Sequence, residues 1–132
     1  MEIKIEKIVS RDVLENIIVT ALEGGSNYWY WLSKKTINKV RRAVSSDEEP
    51  YFAVAMLKAV LDHDIEVEIN DIENIEDVLG VISKAKMQIR LQELSNDNGY
   101  NWALEQEIQG NGDAESSDVV FQYITMGEVV FG

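Results

Sequence analysis

Apolar and polar residues follow two different patterns along the chain, and each pattern predicts a different element. Ile3 and Ile5 alternate with charged residues, which predicts a short half-buried strand running to about Val9. Strict alternation over residues 65–69 predicts a second strand. Elsewhere apolar residues recur every three or four positions, as on the buried face of a helix. We therefore expect a helix-dominated α+β fold with a small sheet of about two short strands and four to five helices.

Capping residues predict where the helices begin and end. Ser10 is placed to cap the first helix, and Gly24–Gly25 can supply a left-handed turn that ends it. Pro50 is expected at the first position of a later helix, where its missing N–H costs nothing. In chain order, the predicted helices cover residues 11–23, 36–44, 50–62, about 71–94 and 114–126, where Asp71 or Asn74 would open the fourth.

The prediction for residues 71–94 depends on spacing. The apolar residues there step by three and four positions and are Ile75, Val78, Ile82, Ala85 and Ile89. Gly80 weakens such a helix by about 1 kcal/mol relative to alanine, so a close contact or a break is expected there. Residues 95–113 are rich in Asn, Asp, Gly and Gln and are expected to form an extended loop.

The last predicted helix separates into an apolar and a polar stripe. The polar stripe has residues three or four positions apart and is expected to face solvent; it consists of Glu115, Asp118, Gln122 and Thr125.

Composition limits the class of protein. The 132 residues are enough for a single domain, residues 1–132, with one core. The absence of cysteine excludes a disulfide scaffold, a thiolate zinc site and a cysteine nucleophile. A formal net charge of −12 argues against general binding to nucleic acid or to an anionic membrane. No apolar run approaches the length of about 18 residues that spans a bilayer, and the amino terminus lacks the apolar region of a signal peptide. We expect a cytoplasmic protein that does not bind membranes.

The charge is unevenly distributed. Residues 1–45 hold eight Lys/Arg and five Asp/Glu, a balance of +3, whereas residues 46–132 hold four and nineteen, a balance of −15. A short basic run consists of Lys34, Lys35, Lys39, Arg41 and Arg42. This asymmetry fits a solvated surface, a head-to-tail homo-oligomer or docking on a basic partner, because complementary potentials steer encounter.

Candidate metal and catalytic groups are few. The single histidine, His63, has acidic neighbours but neither a second histidine nor a cysteine to complete a transition-metal site. The Asn96–Gly99 segment has some EF-hand ligands, but Leu94 stands where a carboxylate is required, so a tight turn is the better interpretation. No nucleophile–base pair is evident. We therefore predict no metal, no cofactor and no catalytic residue, and we favour a binding protein over an enzyme.

Four consecutive aromatic residues follow the first predicted helix, from Tyr28 to Trp31. Regular spacing cannot turn all of them to one core, so either they pack in a core and an interface or they wall a ligand pocket. The neighbouring basic run leaves open a nucleotide stacked on these rings. Gly24–Gly25 would form an anion site only if a helix began at Ser26.

Two segments resemble a known group of sequences. Residues 21–29, ALEGGSNYW, resemble the "ALEGG-x-NYW" segment of small uncharacterised proteins encoded by bacteriophages and prophages. Asp118, Gln122 and the ending GEVVFG at residues 127–132 resemble the "D-x-x-x-Q-x…GE-[IV]-V-[YF]-G" ending of the same group. The resemblance implies an accessory role in a phage or mobile element. It draws attention to Glu23, Gly24, Gly25, Asn27, Tyr28, Trp29, Asp118, Gln122, Gly127 and Glu128.

If the two segments pack together, their polar side chains converge beside Tyr28 and Trp29. The converging residues would be Glu23, Asn27, Asp118, Gln122 and Glu128. Such a group is either a small-molecule site or a hydrogen-bond cluster that holds two helix ends together.

Two functions are predicted from these observations. The first is a phage- or prophage-type accessory protein of the bacterial cytoplasm, whose acidic surface docks on a basic host protein, for example to inhibit a host-defence nuclease. The second is a small-molecule or nucleotide-binding domain, or a weak enzyme, that uses the aromatic and polar residues named above.

Overall fold

Helices dominate the part of the chain that the computed structural model describes, residues 7–132. In chain order the elements are α1 (Arg11–Thr20), a π-helical turn (Ala21–Gly25), β1 (Tyr30–Trp31), α2 (Lys34–Ala43), α3 (Phe52–Asp62), β2 (Val67–Asp71), β3 (Val78–Ile82), α4 (Lys84–Ser95), α5 (Asn101–Ile108) and α6 (Ala114–Met126). The predicted helix-dominated α+β class is confirmed, with three strands in place of two. The strand predicted near residues 3–9 lies largely outside the described residues, and residues 7–9 have no regular structure.

The three strands form one antiparallel sheet in the order β1-β2-β3. In the β1–β2 pair Trp31 lies opposite Asn70. In the β2–β3 pair Ile69 faces Gly80 and Asn70 faces Val78, so the register shifts by one residue. This shift leaves Leu79 as an extra residue, a β-bulge.

The prediction of a helix over residues 71–94 is wrong for the first half of that range. Residues 78–82 form β3, and the helix α4 begins only at Lys84, capped by the Ser83 hydroxyl. An apolar run of five residues satisfies the helical and the strand patterns equally. The strand brings Gly80 against α6, where a Cβ would lie 2.0 Å from the carbonyl oxygen of Thr125. The close contact expected at Gly80 is therefore present, but between a strand and a helix.

Two other predictions are corrected. Residues 95–113 are not one extended loop, since α5 occupies Asn101–Ile108 with Leu104 in the core. The first helix does not end in a left-handed glycine, because neither Gly24 nor Gly25 has positive φ. Instead the chain widens into the π-helical turn, where the Ser26 N–H donates to the Ala21 carbonyl over 2.8 Å.

The predicted caps are partly confirmed. The Ser10 hydroxyl accepts from the Val13 N–H at the start of α1, as expected. Pro50 is not in the first turn of α3, which begins at Phe52. Its carbonyl oxygen instead accepts from the Arg41 guanidinium at 3.1 Å.

The last helix, α6, is the centre of the molecule. Its bounds match the prediction: Asp113 and Ser116 form a capping box at its start, and Gly127 ends it at φ 76°. Residues 116–125 are all buried. The polar stripe predicted to face solvent is therefore buried from Asp118 onwards, because α1, α4, α5 and β3 surround this helix. Among the described residues no helix combines the length and apolar character needed to cross a bilayer.

Candidate functional site

Asp118 in α6 is the centre of a buried hydrogen-bond network. Its Oδ1 accepts from the Ser26 hydroxyl at 2.7 Å and from the Trp29 indole Nε1 at 2.8 Å. Its Oδ2 accepts from the Tyr28 hydroxyl at 2.5 Å and from Gln122 Nε2 at 3.1 Å. Four donors thus surround a carboxylate that is 8% exposed. This is the arrangement by which a charge is kept in a protein interior without a cationic partner.

The loop after α1 supplies three of these donors because it lies directly on α6. A Cβ at Gly25 would lie 2.6 Å from the carbonyl oxygen of Ala114, so a glycine is needed for this approach. The turn after Gly25 then directs Ser26, Tyr28 and Trp29 towards Asp118. No helix begins at Ser26, so the conditional phosphate site at Gly24–Gly25 is not formed.

Gln122 extends the network to the carboxyl-terminal segment. Its Oε1 accepts from the N–H groups of Val130 and Phe131, both at 2.9 Å. Its Nε2 donates to the Phe131 carbonyl at 3.1 Å as well as to Asp118. The side chain is completely buried and uses both of its polar atoms. It acts like a backbone pairing partner for residues 130–131.

Aromatic rings close the space around these polar groups. The Trp29 ring stacks on Phe131 at 5.4 Å between centroids and lies 5.5 Å from Phe121. The Tyr30 hydroxyl donates to the Leu22 carbonyl at 2.6 Å. Burial and the hydrogen bond to Asp118 raise the pKa of Tyr28, so its hydroxyl remains a proton donor well above neutral pH.

The predicted site residues divide into two sets. Tyr28, Trp29, Asp118 and Gln122 meet in the network. The other three, Glu23, Asn27 and Glu128, are exposed, and their side chains form no hydrogen bond within residues 7–132. Ser26 belongs to the network but was considered only as a helix cap. The sequence signal that could have indicated this role is the position of Ser26 within the ALEGGSNYW segment.

The filled network favours the structural interpretation of this cluster over a ligand pocket. Asp118 and Gln122 are satisfied by protein partners, and aromatic side chains occupy the space beside them. A small-molecule site would need a concave space lined by polar groups that are free to bind.

The other candidate groups have ordinary structural roles. His63 Nε2 lies 2.9 Å from Asp47 Oδ2, and residues 7–132 contain no cluster of three or more potential metal ligands. The Asp97 carboxylate accepts from the Gly99 N–H at 2.9 Å, which confirms the tight turn. Arg41 in the basic run donates to the Glu49 carbonyl at 2.8 Å and lies over the Phe52 ring.

The acidic hairpin, residues 64–82, is a second and more exposed candidate surface. Its seven carboxylates are Asp64, Glu66, Glu68, Asp71, Glu73, Glu76 and Asp77, with no lysine or arginine between residues 59 and 83. All except the partly exposed Asp71 are exposed. The salt bridges within residues 7–132 involve none of the seven.

Apolar side chains are exposed on and beside the same hairpin. They are Trp31, Ile72, Ile75 and Val78. This surface was not predicted, because residues 71–94 were expected to form one helix, although the run of carboxylates is evident in the sequence.

Comparison with protein-family models, curated proteins and solved structures gave no match.

Proposed function

We propose that this chain is a phage- or prophage-type accessory protein that acts by binding, and that its acidic hairpin docks on a basic surface of a host protein in the bacterial cytoplasm. The observation that carries the proposal is the concentration of seven carboxylates on one exposed hairpin without a basic residue among them. The phage-type role is supported by the resemblance of the ALEGGSNYW and GEVVFG segments.

Electrostatics supports a basic partner. Lys39 Nζ donates to the Glu66 carbonyl at 2.9 Å, but the seven carboxylates outnumber this cation. The resulting negative potential accelerates encounter with a positive surface and disfavours nucleic acid. Proteins that bind phosphate groups generally present positive surfaces of this kind. A host-defence nuclease is therefore the kind of partner we expect, with the carboxylates occupying positions that phosphates otherwise take.

Exposed apolar residues on the hairpin support a contact surface rather than a merely solvated one. Ile75 is 52% exposed and Val78 is 49% exposed. Apolar groups surrounded by charge are typical of protein interfaces, in which the apolar centre provides most of the binding energy and the polar rim provides specificity.

The test begins with a partner captured from bacterial host lysate by crosslinking and then purified. Its affinity is measured for the native chain and for a variant with Glu68→Gln, Glu73→Gln and Glu76→Gln. All three side chains are exposed and accept no side-chain hydrogen bond within residues 7–132. We expect about a tenfold loss of affinity, from roughly 0.5 kcal/mol for each charge.

The matched control removes three charges elsewhere, with Glu23→Gln, Glu115→Gln and Glu128→Gln, all at exposed positions. The proposal requires that the control bind like the native chain and that binding by the native chain weaken between 50 and 500 mM salt, a change that screens surface charge. Equal losses in both variants, affinity independent of salt, or no captured partner would each overturn it.

A further inference from the structure

One row of side chains on the outer face of the sheet has two exposed members with a buried amide between them. Trp31, Asn70 and Val78 are paired across the three strands, and directly paired residues project from the same face. Trp31 is 44% exposed and Val78 is 49% exposed, while Asn70 between them is 5% exposed. The row is therefore an amide flanked by two exposed apolar side chains.

Asn70 has an unused hydrogen-bond acceptor. Its Nδ2 donates to the Ile75 carbonyl at 3.0 Å, which fixes the orientation of the amide. Its Oδ1 is buried and has no hydrogen-bond partner within residues 7–132. A buried acceptor without a partner destabilises the fold, so a donor that reached this oxygen would recover part of that free energy.

Carboxylates surround the row. Glu68 lies two residues from Asn70 on β2, so it shares the outer face and is diagonal to Trp31, within reach of a long side chain. Glu73, Glu76 and Asp77 lie in the turn next to Val78 and are exposed. An aromatic face, an unused acceptor and several carboxylates thus surround one patch.

We propose that this row is the contact for an arginine side chain of the basic partner, an inference that rests on the proposed function. The guanidinium would lie flat against the Trp31 ring and pair with Glu68. It would also donate to the Asn70 amide oxygen, which is buried in the free chain and would have to become accessible when the partner binds. Arginine fits better than lysine because it is planar, stacks on aromatic rings and has five donors in a fixed arrangement.

The test compares two labelled peptides, nine arginines and nine lysines, by fluorescence anisotropy with the native chain and with Trp31→Ala. We expect the native chain to bind the arginine peptide about three- to fivefold more tightly than the lysine peptide. Trp31→Ala should remove that preference and leave lysine-peptide binding unchanged. Trp31→Phe should keep part of it, which separates loss of the ring from loss of the fold.

Ile37→Ala is the matched control, because Ile37 is an exposed apolar residue on the basic helix α2. It should leave the preference for arginine intact. Equal affinity for the two peptides, or a preference that Trp31→Ala leaves intact, would overturn the arginine inference while salt-dependent binding still supported the proposed function. Failure of the native chain to bind either peptide would count against both the arginine inference and the proposed function. A self-associating native chain that Trp31→Ala makes monomeric would identify a second copy as the occupant and reject the arginine.

Discussion

The indole Nε1 of Trp29 donates to Oδ1 of Asp118 over 2.8 Å and so connects residues 89 positions apart in the chain. Both groups are buried. The bond joins the loop after α1 to α6, the central helix, and Gln122 extends the connection to the carboxyl-terminal segment. The loop after α1 and the carboxyl-terminal segment therefore meet α6 in a single network, whose evident effect is to hold both on the central helix.

Asp118→Asn should lower the free energy of unfolding by about 2–4 kcal/mol. The substitution keeps the shape but replaces a carboxylate oxygen with an amide NH₂, which cannot accept from its present donors, and it weakens hydrogen bonds that a charge now strengthens. Urea denaturation measures the change. Glu115→Gln, on the exposed side of the same helix, should change stability by less than about 0.5 kcal/mol. A native-like stability for Asp118→Asn would show that the network contributes little.

Gln122→Ala should release the carboxyl-terminal segment. The side chain now accepts from the N–H groups of Val130 and Phe131, which have no other hydrogen-bond acceptor within residues 7–132. Amide hydrogen exchange should show these two N–H groups losing protection by more than tenfold, while amides in the centre of α3 change only with global stability. Gln109→Ala, at an exposed position after α5, is the control. Unchanged protection at residues 130 and 131 would contradict the assigned role.

Periodicity predicted most helices because their buried faces and caps are local in sequence. The observed bounds of α6 match those predicted from the pattern of residues. The failure at residues 71–94 has a non-local cause. A short apolar run fits both patterns, and the strand is defined by its pairing with β2 and by the close approach of Gly80 to Thr125, a residue far away in the chain.

The same distinction separates what was found of the candidate sites. Tyr28, Trp29, Asp118 and Gln122 were found because they lie in two recognisable segments. The row on the outer face of the sheet was missed, since Trp31 and Val78 become neighbours of Asn70 only through strand pairing. Whether the polar face of α6 meets solvent also depends on which elements surround it, and spacing does not contain that information.

Gly80→Ala should destabilise the protein by about 2–4 kcal/mol. The new methyl group would lie 2.0 Å from the Thr125 carbonyl oxygen, so β3 and α6 must separate, and overpacking of this kind is costly. Gly24→Ala is the matched control, because no atom lies within 4 Å of a Cβ at that position. Gly24→Ala should leave the free energy of unfolding unchanged or raise it by up to about 1 kcal/mol. Thermal unfolding of both variants tests the pair. Similar shifts for the two would show that β3 and α6 accommodate the added methyl group.

A second pair of residues makes stability depend on pH. The Tyr123 hydroxyl donates to Asp97 Oδ2 over 2.8 Å. This bond and burial of the ring raise the pKa of Tyr123 to about 12, and the same bond lowers the pKa of Asp97. The pair is therefore favoured with the tyrosine neutral and the aspartate charged.

Tyr123→Phe should flatten the pH dependence at both ends. A tyrosine whose pKa is raised on folding contributes stability that is complete below its unfolded pKa near 10 and is lost as the pH rises towards 12. An aspartate whose pKa is lowered contributes stability that is present above about pH 4 and is lost as the pH falls further. Urea denaturation from pH 3 to pH 11.5 should show smaller losses for Tyr123→Phe at both extremes. Tyr30→Phe is the control: the pKa of Tyr30 is raised mainly by burial, so it should alter only the alkaline side. Parallel curves for the native chain and Tyr123→Phe would show that the bond to Asp97 carries no pH dependence.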